Sequence, residues 1–203
     1  MKRIIYACST NQGKLREFEL TAQEFSGCKY KTEQLPSLKQ IAPPAEDRET
    51  FEQNAALKAL YYSGFTRELV FADDSGLEVE ALGGAPGVES ARFAGMGATD
   101  RANNELLVQR LAERRDRNAR FVCVISLAQS GQLIGTFRSE VEGEILYQAR
   151  GENGFGYDPL FLYKPFRRTF GEISAVDKFR VSHRGQALRK MFEYLSADSR
   201  TGS

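Results

Sequence analysis

Strands and helices mixed along one chain, the α/β class, are what the hydrophobic pattern predicts, and three stretches carry that prediction. Ile4 to Cys8 is a short apolar run that breaks into a polar loop and then into an amphipathic run, Leu15 to Phe25. Leu69 to Ala72 has the length and composition of a buried strand. Phe121 to Ala128 and Leu133 to Phe137 are β-rich runs separated by Gln129-Ser130-Gly131-Gln132, a hairpin signature, with Glu140 to Tyr147 continuing the sheet.

The 203 residues suffice for a proper core and suit one domain or two closely joined lobes. Lys and Arg number 28 against 27 Asp and Glu, so the balance argues against a nucleic-acid polyanion as partner, and any phosphate site must be local. Cys8, Cys28 and Cys123 are odd in number and widely spaced, which favours free buried thiols in a reducing compartment, hence a cytoplasmic address. No segment approaches the ~20 apolar residues of a membrane span, and Ile4 to Cys8 is too short for a signal peptide's core.

Taken in order, Ser9-Thr10-Asn11-Gln12-Gly13-Lys14 joins the first strand to the first helix. Such a junction aims backbone N–H groups and the positive end of the helix dipole at the loop, where an anion can be held; the alternative is an ordinary cap by Ser9, Thr10 or Asn11. Lys29 to Gln34 reads as a second strand, and Leu35 to Pro44 as a proline-bearing loop. Thr50 can cap a helix from Phe51 to Tyr62 that Gly64 ends, with Asn54 and Lys58 one turn apart. Glu46 lies in the loop ahead of it, where it can serve a metal or simply favour the helix dipole.

The apolar run at Leu69 drives into Asp73 and Asp74, and Ser75-Gly76 reads as a turn that delivers both acids to the strand's exit. Successive strand residues face opposite ways, so the two carboxylates cannot serve one site together. One can hold Mg²⁺ or take a proton from water; equally, an Asp-Ser-Gly turn can carry two solvated acids. Leu82 to Gly87 is a concentrated turn, and Thr99 or Asp100 caps a helix through Leu111. Glu113 to Arg117 reads as a solvated helix end, since its basic residues lack the interleaved aromatics of a nucleic-acid patch. Gly151 to Pro159 gathers three glycines, Phe155, Tyr157 and Asp158 in one loop before Leu160-Phe161-Leu162-Tyr163; it can present a ring to a planar base or be a glycine loop with core aromatics. Ser174 to Gly185 precedes a terminal helix, Gln186 to Leu195, with Ser182 as its cap; Lys178, His183 and Arg184 make it rich in donors, and Ala197 onward reads as a frayed tail.

Ser9 to Lys14, Asn54-Ala55 with Lys58, Ala72 to Leu77, Gly83 to Val88, Gly154 to Pro159 and Ser182 to Gly185 together resemble the inosine triphosphate pyrophosphatase (HAM1) family, in order and over nearly the full chain. The resemblance implies an α/β fold with a long mixed β-sheet and flanking helices forming two lobes around a central cleft, usually a homodimer. It implies Mg²⁺-dependent hydrolysis of the purine nucleoside triphosphates ITP, dITP and XTP to monophosphate and pyrophosphate, or, were catalysis lost, a purine nucleotide-binding or sensing protein. Ser9, Thr10, Asn11, Gln12, Gly13 and Lys14 are similar to the family's triphosphate cradle. Glu46 and Asp74 match its metal carboxylates, Asp74 also its proton acceptor, and Lys58 and Ser75 assist at the phosphates. Phe155, Gly156, Tyr157 and Asp158 are similar to the base-binding loop, and Lys178, His183 and Arg184 to the cluster that reads the purine. Two positions depart from the family: Arg48 stands where glycine is common, and Gln53 where glutamate is common before Asn54. The first bears on the conformation around Glu46.

Overall fold

The computed structural model describes residues 3–24 and 30–201. Among the described residues, seven strands form one open sheet in the order β2-β1-β3-β4-β5-β6-β7: β1 Arg3–Ala7, β2 Tyr30–Gln34, β3 Leu69–Val79, β4 Asn118–Gln129, β5 Gln132–Ile145, β6 Phe161–Tyr163 and β7 Arg168–Thr169. β1 runs parallel to β2 and β3, whereas β6 is antiparallel to β5 and β7, so the sheet is mixed as expected. The helices are α1 Gln12–Glu24, α2 Phe51–Ser63, α3 Asp100–Arg110, α4 Ala175–Val181 and α5 His183–Thr201. None of those among the described residues is long and apolar enough to cross a membrane.

The chain divides into two compact units, one comprising Met1–Asp74, Cys123–Ser139 and Arg184–Ser203, the other Ser75–Val122 and Glu140–His183. In the first unit the alternation of β3 sorts its partners. Val70 and Ala72 pack with Ala59 and Tyr62 of α2, while Phe71, pointing the other way, meets Phe18 of α1 edge-on at 5.0 Å between ring centroids. α5 adds Ala187, Leu188, Met191 and Phe192, all buried. β4 and β5 are joined by Ser130 and Gly131, both at positive φ (51° and 78°), the two-residue turn whose twist suits a hairpin. The second unit packs Leu107 and Leu111 against Leu77, Val79, Phe121, Val141 and Phe161.

Four expectations are corrected. Ser75-Gly76 is strand interior, because apolar alternation resumes at Leu77 and Val79, both fully buried, and this burial outweighs local turn preference. The runs Leu133 to Phe137 and Glu140 to Tyr147 are one strand as far as Ile145. The segment from Ser174 holds a helix, α4, capped by Ser174 Oγ accepting from Asp177 N; the terminal helix accordingly starts at His183 and stays helical through the expected tail to Thr201. Phe25, Cys28 and Lys29 lie outside the described residues.

The fourth correction is Arg117, which is buried rather than solvated. Its Nε, Nη1 and Nη2 donate to the carbonyls of Ile145, Leu111 and Leu146 at 2.6, 2.9 and 3.0 Å, and its guanidinium lies 4.0 Å from the Tyr147 ring centroid. It thus satisfies the end of α3 and the end of β5 with one planar group. Replacing it by methionine would strand three carbonyls, so Arg117→Met should lower the unfolding free energy by about 3 kcal/mol. Urea denaturation measures this, and a loss under about 1 kcal/mol would contradict the role.

Candidate active site

Because β3 alternates, Asp73 emerges on the α1 and α5 face and Asp74 on the α2 face. Asp73 Oδ2 accepts from Lys14 Nζ at 2.9 Å and Arg184 Nε at 3.3 Å, and Arg184 Nη1 donates to Glu17. All but Lys14 are nearly inaccessible, and two cations meet two anions, so the set is electroneutral. Burial alone would raise the Asp73 carboxyl, but Lys14, Arg184 and Lys58 outweigh it and hold it well below the usual range. Asp73 therefore ties β3 to α1 and α5.

The opposite face is unbalanced. Lys58 Nζ donates to Glu46 Oε2 at 2.8 Å and Asp74 Oδ1 at 3.0 Å, one cation between two carboxylates. Burial lifts the Asp74 carboxyl to about 6 against the pull of Lys58 and Lys14. Glu46, also opposed by burial, is held below its usual range by Lys58, and Lys58 itself is raised, its burial outweighed by Asp74 and Glu46. Asp74 Oδ2 is buried with no hydrogen-bond partner. A buried, undercompensated carboxylate with one oxygen unspent is suited to a divalent cation or a reacting water. Among the described residues no group of three or more His, Cys, Asp or Glu gathers to hold a metal unaided. Two carboxylates completed by substrate oxygens fit Mg²⁺, which is commonly held in that way.

Asn54 and Lys58, a pair that helical spacing alone would leave solvated, are both buried. The Asn54 amide grips the main chain of Arg48 twice, accepting from Arg48 N and donating to Arg48 O, each at 3.1 Å. The loop carrying Glu46 is thereby fixed to α2. Arg48 is absent from the non-glycine residues at positive φ, which are Ser37, Ser130 and Arg167, so glycine is not required there. Gln53 serves through its backbone, donating to the Thr50 cap at 3.2 Å.

At the first strand-to-helix junction Asn11 is the cap: its Oδ1 accepts from Lys14 N at 3.0 Å, and Ser9 Oγ accepts from Asn11 N at 3.3 Å. The first intrahelical bond is Leu15 N to Asn11 O. Gln12 and Gly13 precede it, α1 carries no acid in its first turn, and Thr10 to Gln12 are exposed, so this end keeps its character as an anion seat.

The second unit contains the remaining expected residues. Asp158 Oδ2 accepts from Phe155 N at 2.8 Å and Lys178 Nζ at 2.6 Å, which closes the loop on itself. A side chain at Gly154 would meet Asp158 Oδ2 at 2.0 Å, and with φ at 77° only glycine suits the position. Lys178 Nζ also lies 4.5 Å from the centroid of the Phe155 ring, and Tyr157 Oη donates to Ser90 O at 2.8 Å. His183, expected in a donor-rich segment, is buried and stacked on Phe121 at 4.7 Å with rings 10° apart. Ser75 is half-buried within β3. Cys8 and Cys123 are free and buried, and burial pushes the Cys8 thiol up to about 12, so neither acts as a nucleophile.

A model of the Ham1 family matches residues 5–194. The chain belongs to the Ham1 family. Its relatives include a dITP/XTP pyrophosphatase of an Exiguobacterium species, 48% identical over 194 residues, or 94% of this chain and 95% of that protein. Another, a dITP/XTP pyrophosphatase of Desulfotalea psychrophila, is 43% identical over 93% of this chain and 83% of its own. Among solved structures, the Ham1 protein of Staphylococcus aureus matches with a TM-score of 0.84 at 38% identity, and a HAM1 protein of Coxiella burnetii with 0.85 at 35%; each match covers 97% of this chain and 100% of the other. The Ham1 fold expected from the motifs is thus the fold observed, and Glu17 and the role of Asp73 are what sequence reasoning missed.

An aspartate whose folded pKa lies below its unfolded value stabilises while ionised, so the contribution of Asp73 is complete above about pH 4 and drains away as pH falls further. Asp73→Asn should cost about 3–5 kcal/mol at pH 7, because it leaves Arg184 and Lys14 short of an anion, and should flatten the acid limb of the stability curve. Chemical denaturation from pH 3 to 7 decides it: an unaltered acid limb in the variant would remove Asp73 from this role.

Proposed function

We infer that this chain hydrolyses non-canonical purine nucleoside triphosphates, ITP, dITP and XTP, to the nucleoside monophosphate and pyrophosphate, so cleansing the nucleotide pool. The observation that carries the reading is the Asp74 carboxyl, buried, undercompensated and with Oδ2 unpartnered, on the strand from which its neighbour Asp73 is used to brace the fold. The naming of relatives up to 48% identical over nearly the whole chain as dITP/XTP pyrophosphatases supports it.

Cleavage between the α and β phosphates requires an in-line water and neutralisation of charge on the departing pyrophosphate. Asp74 Oδ2 orients the water and takes its proton, a role suited to a carboxyl raised toward neutrality. The N-terminus of α1, from Ser9 to Gly13, holds phosphate oxygens, Ser75 assists there, and Lys58 and Lys14 supply fixed positive charge. Glu46 and Asp74 would hold Mg²⁺, which when bound contributes further charge neutralisation at the phosphates. Phe155 and Gly156 present the surface on which the flat base lies, with Asp158 keeping that surface in shape, while Tyr157, expected beside them, is a core aromatic buried behind the loop. By the family resemblance, Lys178, His183 and Arg184 would supply donors that favour the 6-keto oxygen of inosine and xanthine over the amino group of adenine. Facing a buried donor with a donor costs about 1–3 kcal/mol, enough for tenfold discrimination or more. The partner is thus a small-molecule triphosphate. We also propose a homodimer and a cytoplasmic address, the first on the family resemblance and the second on the free thiols; sedimentation of the purified chain tests the first.

Pyrophosphate release should be fast with ITP, dITP and XTP and at least tenfold slower with ATP. Asp74→Asn should abolish it while circular dichroism stays that of the parent, and undiminished turnover in that variant would end the assignment. With burial raising the Asp74 carboxyl to about 6, protons should compete with the cation for it below that pH. The Mg²⁺ concentration for half-maximal rate should therefore rise about tenfold per pH unit below 6 and level off above 7. A requirement for Mg²⁺ that is the same at pH 5 and pH 7.5 would exclude Asp74 as a ligand.

A further inference from the structure

We propose that helix α3 acts as the support for the base-binding loop, with Asp100 and Asn104 as positioning residues for Phe155. The proposal rests on the functional reading above, which gives Phe155 the base. Asp100 and Asn104 lie one turn apart on α3 and so share a face. Gly156 N donates to Asp100 Oδ2 at 2.7 Å, and Asn104 Nδ2 donates to Gly156 O at 3.0 Å. Phe155 N donates to Asp158 Oδ2. Three successive peptide planes, those before Phe155, between Phe155 and Gly156, and after Gly156, are therefore each held by a different side chain.

Fixing three consecutive planes fixes both backbone torsions of Phe155 and of Gly156, and with them the direction in which the Phe155 ring leaves the chain. Asp158 holds the first plane through its side chain and touches the second only through a long bond from its backbone N–H to Phe155 O, 3.3 Å. Without α3 the second plane would keep only that long bond and the third would lose Asn104, so the chain could turn about Gly156, which sits at φ 60° and has no side chain to resist. The ring itself is approached by Lys178, whose own position depends on Asp158, so the ring and its neighbouring cation are set by one loop geometry. Holding the ring in place before substrate arrives removes an ordering cost from binding the base and leaves the chemistry at the phosphates untouched.

Neither residue touches substrate in this account, so the expected signature is a split between KM and kcat. Asp100→Ala and Asn104→Asp should each raise KM for dITP about tenfold with kcat within about twofold of the parent. Asp100→Asn, which keeps an oxygen acceptor for Gly156 N, should restore KM to within about threefold. Inhibition by tripolyphosphate, which has no base, should be unchanged in all three. Any of three results would overturn the proposal: parental KM in both impaired variants, Asp100→Asn as defective as Asp100→Ala, or tripolyphosphate inhibition weakening in step with KM. Should the parent turn over neither dITP nor XTP, the functional reading fails first. Amide hydrogen exchange at 154–157 then decides the support role by itself: faster exchange in Asp100→Ala and Asn104→Asp upholds it, and parental exchange removes it.

Discussion

Two adjacent carboxylates on one strand are forced onto opposite faces, and the rest of the candidate site follows from that constraint. Asp73, facing α1 and α5, meets Lys14 and Arg184, which with Glu17 makes a set of two cations and two anions. Asp74, facing α2, shares a single Lys58 with Glu46. The same residue type, one peptide bond apart, is thus depressed in one case and raised in the other. Local charge count decides between the two outcomes, since both are buried.

The division of labour explains how the chain tolerates a destabilising centre. Leaving a carboxyl in low dielectric without full compensation works against folding at neutral pH, because the ionised form is favoured in the unfolded chain. The balanced set at Asp73 works in the opposite sense on the same strand. Asn54 adds rigidity where the unbalanced set needs it, by gripping both the N–H and the carbonyl of Arg48. An arginine at that point is no obstacle, since the loop asks only for its backbone. With Gln53 likewise serving through its backbone N–H, neither departure from the family pattern, Arg48 or Gln53, favours the purine nucleotide-binding or sensing alternative.

Much of the fold was legible because its signals are local. Thr50 and Thr99 cap the helices expected of them, accepting from Gln53 N and Ala102 N, and Ser130-Gly131 makes the expected hairpin. The failures share a cause as well. Ser75-Gly76 looks like a turn until the burial of Leu77 and Val79 is counted, and Arg117 looks solvated until the carbonyls of Ile145 and Leu146 arrive beside it. The brace around Arg184 joins residues 111 and 167 positions apart, a separation at which spacing carries no information. α4 is only seven residues long and half charged or polar, so its periodicity is too brief to read.

Resemblance identified which residues to examine, but it did not distinguish those that act on a ligand from those that hold others in place. Asp158 is the instructive case. It belongs to the motif similar to a base-binding loop, yet one of its oxygens is already shared by Phe155 N and Lys178 Nζ, and Gly154 exists to make room for it. What it does within the loop is fix the Phe155 backbone and the Lys178 ammonium. Arg184 is similar in kind: two of its guanidinium nitrogens donate to Glu17 and Asp73, which fixes its charge in place. Specificity built this way depends on preorganised geometry more than on the number of donors. A substitution in such a brace should change which base is accepted before it changes whether phosphate is cleaved.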